Sequence, residues 1–120
     1  MKRPYRTLLC AGIVAGFAGA ASAAEVSGIL MDKLCSATAL KGGQDVAVKH
    51  ARTCNLTPNC SKSGWGVYTA DGKYIALDSA GNAMALKALQ SSTKKDDMKV
   101  TVTGDVQGDT INVTDLKLAE

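Results

Sequence analysis

Aromatic residues are scarce in this chain of 120, which has one Trp, three Tyr and one Phe. Beyond Ala23 only Trp65, Tyr68 and Tyr74 remain. A core built mostly from aliphatic side chains at this size is modest, and a covalent or metal staple would strengthen it. Histidine occurs once, at His50, so no second imidazole is available as a general base. There is no CxxC pair, no glycine-rich phosphate loop behind a strand and no carboxylate pair at a telling spacing. These absences weigh against an enzyme. A surplus of positive charge is also missing where it would count. The full chain has 14 Lys+Arg against 11 Asp+Glu, but Lys2, Arg3 and Arg6 account for the difference and all the acids lie beyond Ala23. The chain from Ala24 onward is formally neutral, which argues against a nucleic-acid partner. Lys94 and Lys95 run straight into Asp96 and Asp97, as in a solvated loop.

The start of the chain reads as an export signal over residues 1–23. Lys2, Arg3 and Arg6 precede an apolar run from Leu8 to Ala20, and Ala21-Ser22-Ala23 has the small-x-small pattern of a cleavage site. Cleavage after Ala23 predicts a periplasmic or secreted product, 24–120, forming one domain with no membrane anchor. The apolar run is short for a bilayer span. Cys10 precedes most of that run, the wrong place for lipidation, and is expected to leave with the signal.

The patterning beyond Ala23 predicts a mainly β domain with one main helix. Val26–Leu34 suits a first strand. A long insertion comes next, over 35–64, in which Asp45 can cap a short helix from Val46 to about Cys54, and Pro58 forbids its continuation. Trp65–Ala70 and Lys73–Asp78 flank Asp71-Gly72, a strong hairpin signal in which a type I′ turn would place both central residues at positive φ. Ser79–Asn82 reads as a turn and a helix start, and Ala83–Gln90 is rich in helix formers. Met98, Val100, Val102 and Val106 alternate as a fourth strand, Gly108-Asp109 turns the chain, and Ile111 and Val113 begin a fifth. Leu116 and Leu118 change parity, which predicts a bulge near Thr114-Asp115. Five strands with a helix between the third and fourth is the element order of a small OB-like barrel.

Every cysteine beyond the signal and the one histidine fall in or beside the insertion, in the loop that OB-folds commonly use for ligands. His50 and Cys54, four apart, would share one face of the expected helix and reach one ion together. With Cys35 and Cys60 they would form a four-coordinate Cys3His shell, structural if it holds zinc. Fewer engaged ligands and soft thiolates would favour Cu(I). Asp32 either orients His50 from behind, as carboxylates do for metal-bound histidines, or accepts amide hydrogen bonds at its strand end. An oxidising compartment offers the competing reading. Three cysteines leave one disulfide and an odd thiol. Cys54–Cys60 closes the shortest loop, and Cys35 bonded to either would pin the insertion to the barrel. The corresponding functions are a metal-binding accessory protein, a disulfide-held interaction module with a periplasmic protein partner, and a thiol-redox accessory.

The pattern Asp32-x2-Cys35, His50-x3-Cys54-x5-Cys60, then Ser63-Gly64 before an aromatic strand resembles a group of small secreted bacterial proteins of unassigned function. The resemblance covers most of 24–120 and implies a shared Cys/His framework without implying a reaction. Trp65 with Met31, Met84 and Met98 is similar in composition to the His/Met/Trp set of small periplasmic OB-fold copper carriers, where Trp lies over Cu(I). Core packing is the preferred role for these methionines.

Overall fold

A computed structural model describes residues 23–120. The expected export signal, with Cys10, lies outside the described residues up to its last position. The elements are β1 (Ala24–Asp32), α1 (Lys33–Gly42), α2 (Gln44–Lys49), α3 (Arg52–Asn55), α4 (Pro58–Ser63), β2 (Trp65–Thr69), β3 (Tyr74–Leu77), α5 (Ser79–Ser91), β4 (Lys99–Gln107) and β5 (Thr110–Leu118). All five strands belong to one sheet. Their hydrogen-bonded order is β1-β2-β3-β5-β4, and β4 pairs back onto β1. Four of the pairings are antiparallel, while β3 meets β5 in parallel through Ala76–Thr110 and Leu77–Ile111.

Period-2 alternation decides which side chains face inward. Leu30, Trp65, Val67, Leu77, Val100, Val102, Ile111 and Val113 form one buried cluster, with Ala85 and Leu89 of α5 packed into it. The bulge falls as expected. Thr103 pairs with Asp115 but Gly104 pairs with Val113, so Thr114 is the extra residue and Leu116 and Leu118 return to the interior side. Both hairpins form. The β2–β3 turn differs from type I′, because Gly72 takes φ 78 while Asp71 stays at negative φ. The connection has four residues instead of two, closed by Thr69 N–H donating to the Lys73 carbonyl. At the β4–β5 turn, Gly108 alone takes positive φ, at 66.

Helix claims as much of the described chain as strand, which corrects the mainly β expectation. The extra helix lies in the insertion, where the single helix expected over Val46–Cys54 is replaced by four short ones. The first strand stops at Asp32, two residues early, because Asp32 caps α1 with its side chain accepting from the Cys35 amide. The expected helix is interrupted where His50 and Ala51 take extended backbone (ψ 119 and 144), so α2 and α3 are separate. Pro58, expected only as a stop, begins α4, where its missing N–H costs nothing. The insertion buries Ala39 of α1 and Ala47 of α2 against Ile29, Met31 and Tyr68, the opposite side of β1 and β2 from the first cluster. This second small core holds the insertion against the outside of the ring.

Candidate metal centre

Four backbone N–H groups at a helix start have no partner within the helix. In α1, three of them find partners in residues of the sequence pattern. Lys33 N–H donates to the Gly64 carbonyl at 2.8 Å, Leu34 N–H to Ser63 Oγ at 3.2 Å, and Cys35 N–H to Asp32 Oδ2 at 2.8 Å. Ser63 Oγ donates in turn to the Cys60 carbonyl at 2.6 Å. Asp32, Cys35, Cys60, Ser63 and Gly64 thus form one structural unit that fastens the start of α1 to the end of α4.

Asp32 is the hub. It is fully buried, and its other carboxylate oxygen, Oδ1, receives His50 Nε2 at 2.8 Å. Both expected roles for Asp32 are therefore filled, one by each oxygen. Burial pushes the Asp32 carboxyl pKa up, but the His50 hydrogen bond, the Cys35 amide and the imidazole charge outweigh it and the net direction is down. A depressed carboxylate pKa contributes stability that is present above the unfolded value near 3.8 and lost as pH falls through the lower folded value. Asp32→Asn, which can still cap α1, is expected to flatten the loss of stability below about pH 4. Urea unfolding at a series of acid pH values checks this, and an unchanged slope would refute it.

Cys35 sits in the first turn of α1, where a helix dipole favours thiolate. Its surroundings oppose this: burial, the Asp32 charge and the adjacent Cys60 push the thiol up to about 12. That direction disfavours Cys35 as an attacking nucleophile, and metal binding there would have to release its proton. With Asp32 and His50, Cys35 makes a credible set of metal ligands. One donor atom each from Asp32, Cys35 and His50 lie within 4.8 Å of one another, and the group can hold a metal ion. His50 is drawn in by the break that ends α2, its side chain only 11 % exposed. Cys60 brings its sulfur to 4.0 Å from that of Cys35.

Of the expected shell, Cys35 and His50 belong to this group, whereas Cys54 and Cys60 do not, although Cys60 lies against Cys35. Cys54 is exposed on α3 and stands outside the group, because the interruption at His50–Ala51 removes the shared helical face. Asp32 takes a place among the candidate donors. Trp65 also departs from its expected supporting role. It is buried in the interior cluster, and its Nε1–H donates to the Asn55 carbonyl at 3.2 Å. Met31 and Met98 are fully buried and Met84 packs on the core, in keeping with packing roles.

Sequence reasoning missed Asn55. This fully buried side chain accepts from Asp32 N–H through Oδ1 at 2.9 Å and donates from Nδ2 to the Leu30 carbonyl at 3.4 Å. It locks the end of β1 to the middle of the insertion. Arg52, also missed, donates from Nε to the Lys94 carbonyl at 2.9 Å and from Nη1 to the Leu89 carbonyl at 3.2 Å. A separate groove lined by Ser27, Ile29, Lys99 and Lys117 contains none of the Cys/His group.

Compared with known proteins, the chain matches no family model, no curated sequence and no solved structure.

Proposed function

We propose that this is an exported metal-binding accessory protein, with Asp32, Cys35 and His50 as the centre of its site and Cys60 as a fourth donor. The observation that carries the reading is the 4.8 Å clustering of three chemically different donors on a buried carboxylate. His50 Nε2 and Asp32 Oδ1 face each other at 2.8 Å, so an ion that takes the place of the shared proton would draw on both. Two thiolates on one tetrahedral zinc, with Zn–S of about 2.3 Å, stand about 3.8 Å apart. The Cys35–Cys60 separation of 4.0 Å is close to that edge. Thiolate and imidazole donors together suit Zn²⁺ or Cu(I).

The scaffold in this reading is an OB-like barrel. The ring order β1-β2-β3-β5-β4 and the helix between β3 and β4 support it. The site then occupies the loop between the first two strands, a frequent ligand loop of that fold. Export rests on the basic and apolar pattern of residues 1–23.

Zinc titration of the reduced protein against a chromophoric chelator, and Cu(I) titration under anaerobic conditions, test the reading. One equivalent of ion is expected to bind. Cys35→Ser and His50→Ala are each expected to weaken binding by about a hundred-fold or more, and Cys54→Ser to leave it unchanged. Absence of binding, or a loss at Cys54 as large as that at Cys35, would sink the proposal. A second reading, a disulfide-held interaction module, draws on the same close approach of Cys35 and Cys60. It predicts no bound ion and a His50→Ala variant without a ligand phenotype.

A further inference from the structure

We infer that Cys35 and Cys60 form a reversible dithiol–disulfide pair that opens and closes the metal site, an inference that rests on the metal-binding reading above. Two separate features carry it. The sulfurs are 4.0 Å apart, so a bond of about 2.05 Å requires an approach of about 2 Å. Their helices are also already joined next to the thiols, through Lys33 N–H to Gly64, Leu34 N–H to Ser63 and Ser63 to the Cys60 carbonyl. That frame uses backbone groups and a serine hydroxyl, none of which the sulfur chemistry consumes. It can persist in both states while the two side chains rotate. Cys54 is exposed and makes no corresponding sulfur contact among the described residues.

The chemistry is thiol–disulfide exchange with an external disulfide, protein or small molecule, as the oxidant. Cys60 is the attacking member of the pair and, as thiolate, attacks a sulfur of that disulfide. A mixed disulfide forms and the first thiol of the oxidant departs. The second cysteine of the pair, having lost its proton, attacks the bonded sulfur. The Cys35–Cys60 bond forms, the mixed disulfide breaks, and the oxidant leaves as two thiols carrying the two electrons and two protons. Two thiolate donors disappear from the site, leaving Asp32 and His50. Metal binding requires the thiolates, so the oxidised protein releases its ion and the loaded protein shields its thiols from exchange.

The test uses the protein from Ala24 onward, equilibrated in oxidised and reduced glutathione without metal. Free thiols are then alkylated and the peptides mapped. The expected result is a Cys35–Cys60 bridge with Cys54 alkylated. Zinc affinity is expected to fall by about a hundred-fold or more on oxidation and to return on treatment with a phosphine reductant. Cys54→Ser should behave like the parent. Cys60→Ser should bind zinc more weakly than the reduced parent, but with an affinity that no longer responds to glutathione oxidation. A bridge that includes Cys54, or an oxidised form that keeps its zinc affinity, would overturn the switch while the metal site stood. A Cys35–Cys60 bridge in a protein whose reduced form binds neither zinc nor Cu(I) would overturn the metal reading, and gating with it.

Discussion

Replacing Asn55 with alanine is expected to lower stability by about 2–4 kcal/mol, although the residue is neither apolar nor one of the proposed ligands. Its Oδ1 is the acceptor for the buried Asp32 N–H, and its Nδ2 supplies a donor to the Leu30 carbonyl. Alanine would strand the amide in a site sealed from solvent and take a donor from the carbonyl. Desolvated groups left in this way cost about 1–3 kcal/mol each. Asn55→Asp is not a rescue, because a carboxylate offers no donor to Leu30 and adds a negative charge next to Asp32. Urea unfolding with an unchanged m-value would measure the loss. A drop under about 1 kcal/mol would mean that water replaces the amide and that Asn55 does not fix the end of β1. Because Asp32 is positioned by this contact, metal affinity should fall in the same variant.

Gly28→Ala is expected to be at least as damaging, costing more than about 3 kcal/mol or preventing folding. Gly28 sits where β1 is paired on both sides, with Thr69 of β2 and with Val100 of β4. A Cβ built there would overlap the Tyr68 carbonyl and stand 2.8 Å from Val67 Cγ1. The main obstacle is backbone of the neighbouring strand, which cannot move aside as a flexible side chain can. Relief would require β1 and β2 to separate where the ring passes from one partner to the other. Soluble expression and thermal unfolding would show the effect. A variant that melts within a few degrees of the parent would mean that the two strands do not approach so closely.

The strands were legible because alternation is a local signal. Val100, Val102, Ile111 and Val113 face one way by parity alone, and the parity change at Leu116 located the bulge to within a residue. The main helix was legible too, with its start within Ser79–Asn82 and its body over Ala83–Gln90, and Asp78 caps it. The insertion was harder to read for a physical reason. α1 mixes Leu, Ala and Cys with Lys, Ser and Thr and has little amphipathic pattern, and its start is secured by Ser63 and Gly64, about thirty residues away. No window of sequence contains that information. The site was legible in composition and incomplete in geometry. Cys35 and His50, singled out by residue type, fall in the group with Asp32, whereas Cys54 was added on the strength of a helix that is interrupted at His50 and lies outside it. A buried asparagine such as Asn55 looks like any loop asparagine until its partners are known.

The anchoring of the insertion at its far side bears on how the protein comes apart. Arg52 reaches the carbonyls of Leu89 and Lys94, its own amide donates to Lys95, and Asp97 N–H donates to Val48. These bonds join the insertion to the segment that leads into β4, the strand whose pairing with β1 completes the ring. Local opening of the insertion must therefore break contacts on both flanks, those of Asp32 and Asn55 on one and those of Arg52 and Val48 on the other. The site and the seam of the ring then belong to one cooperative unit, and partial unfolding that bares the cysteines also loosens the seam.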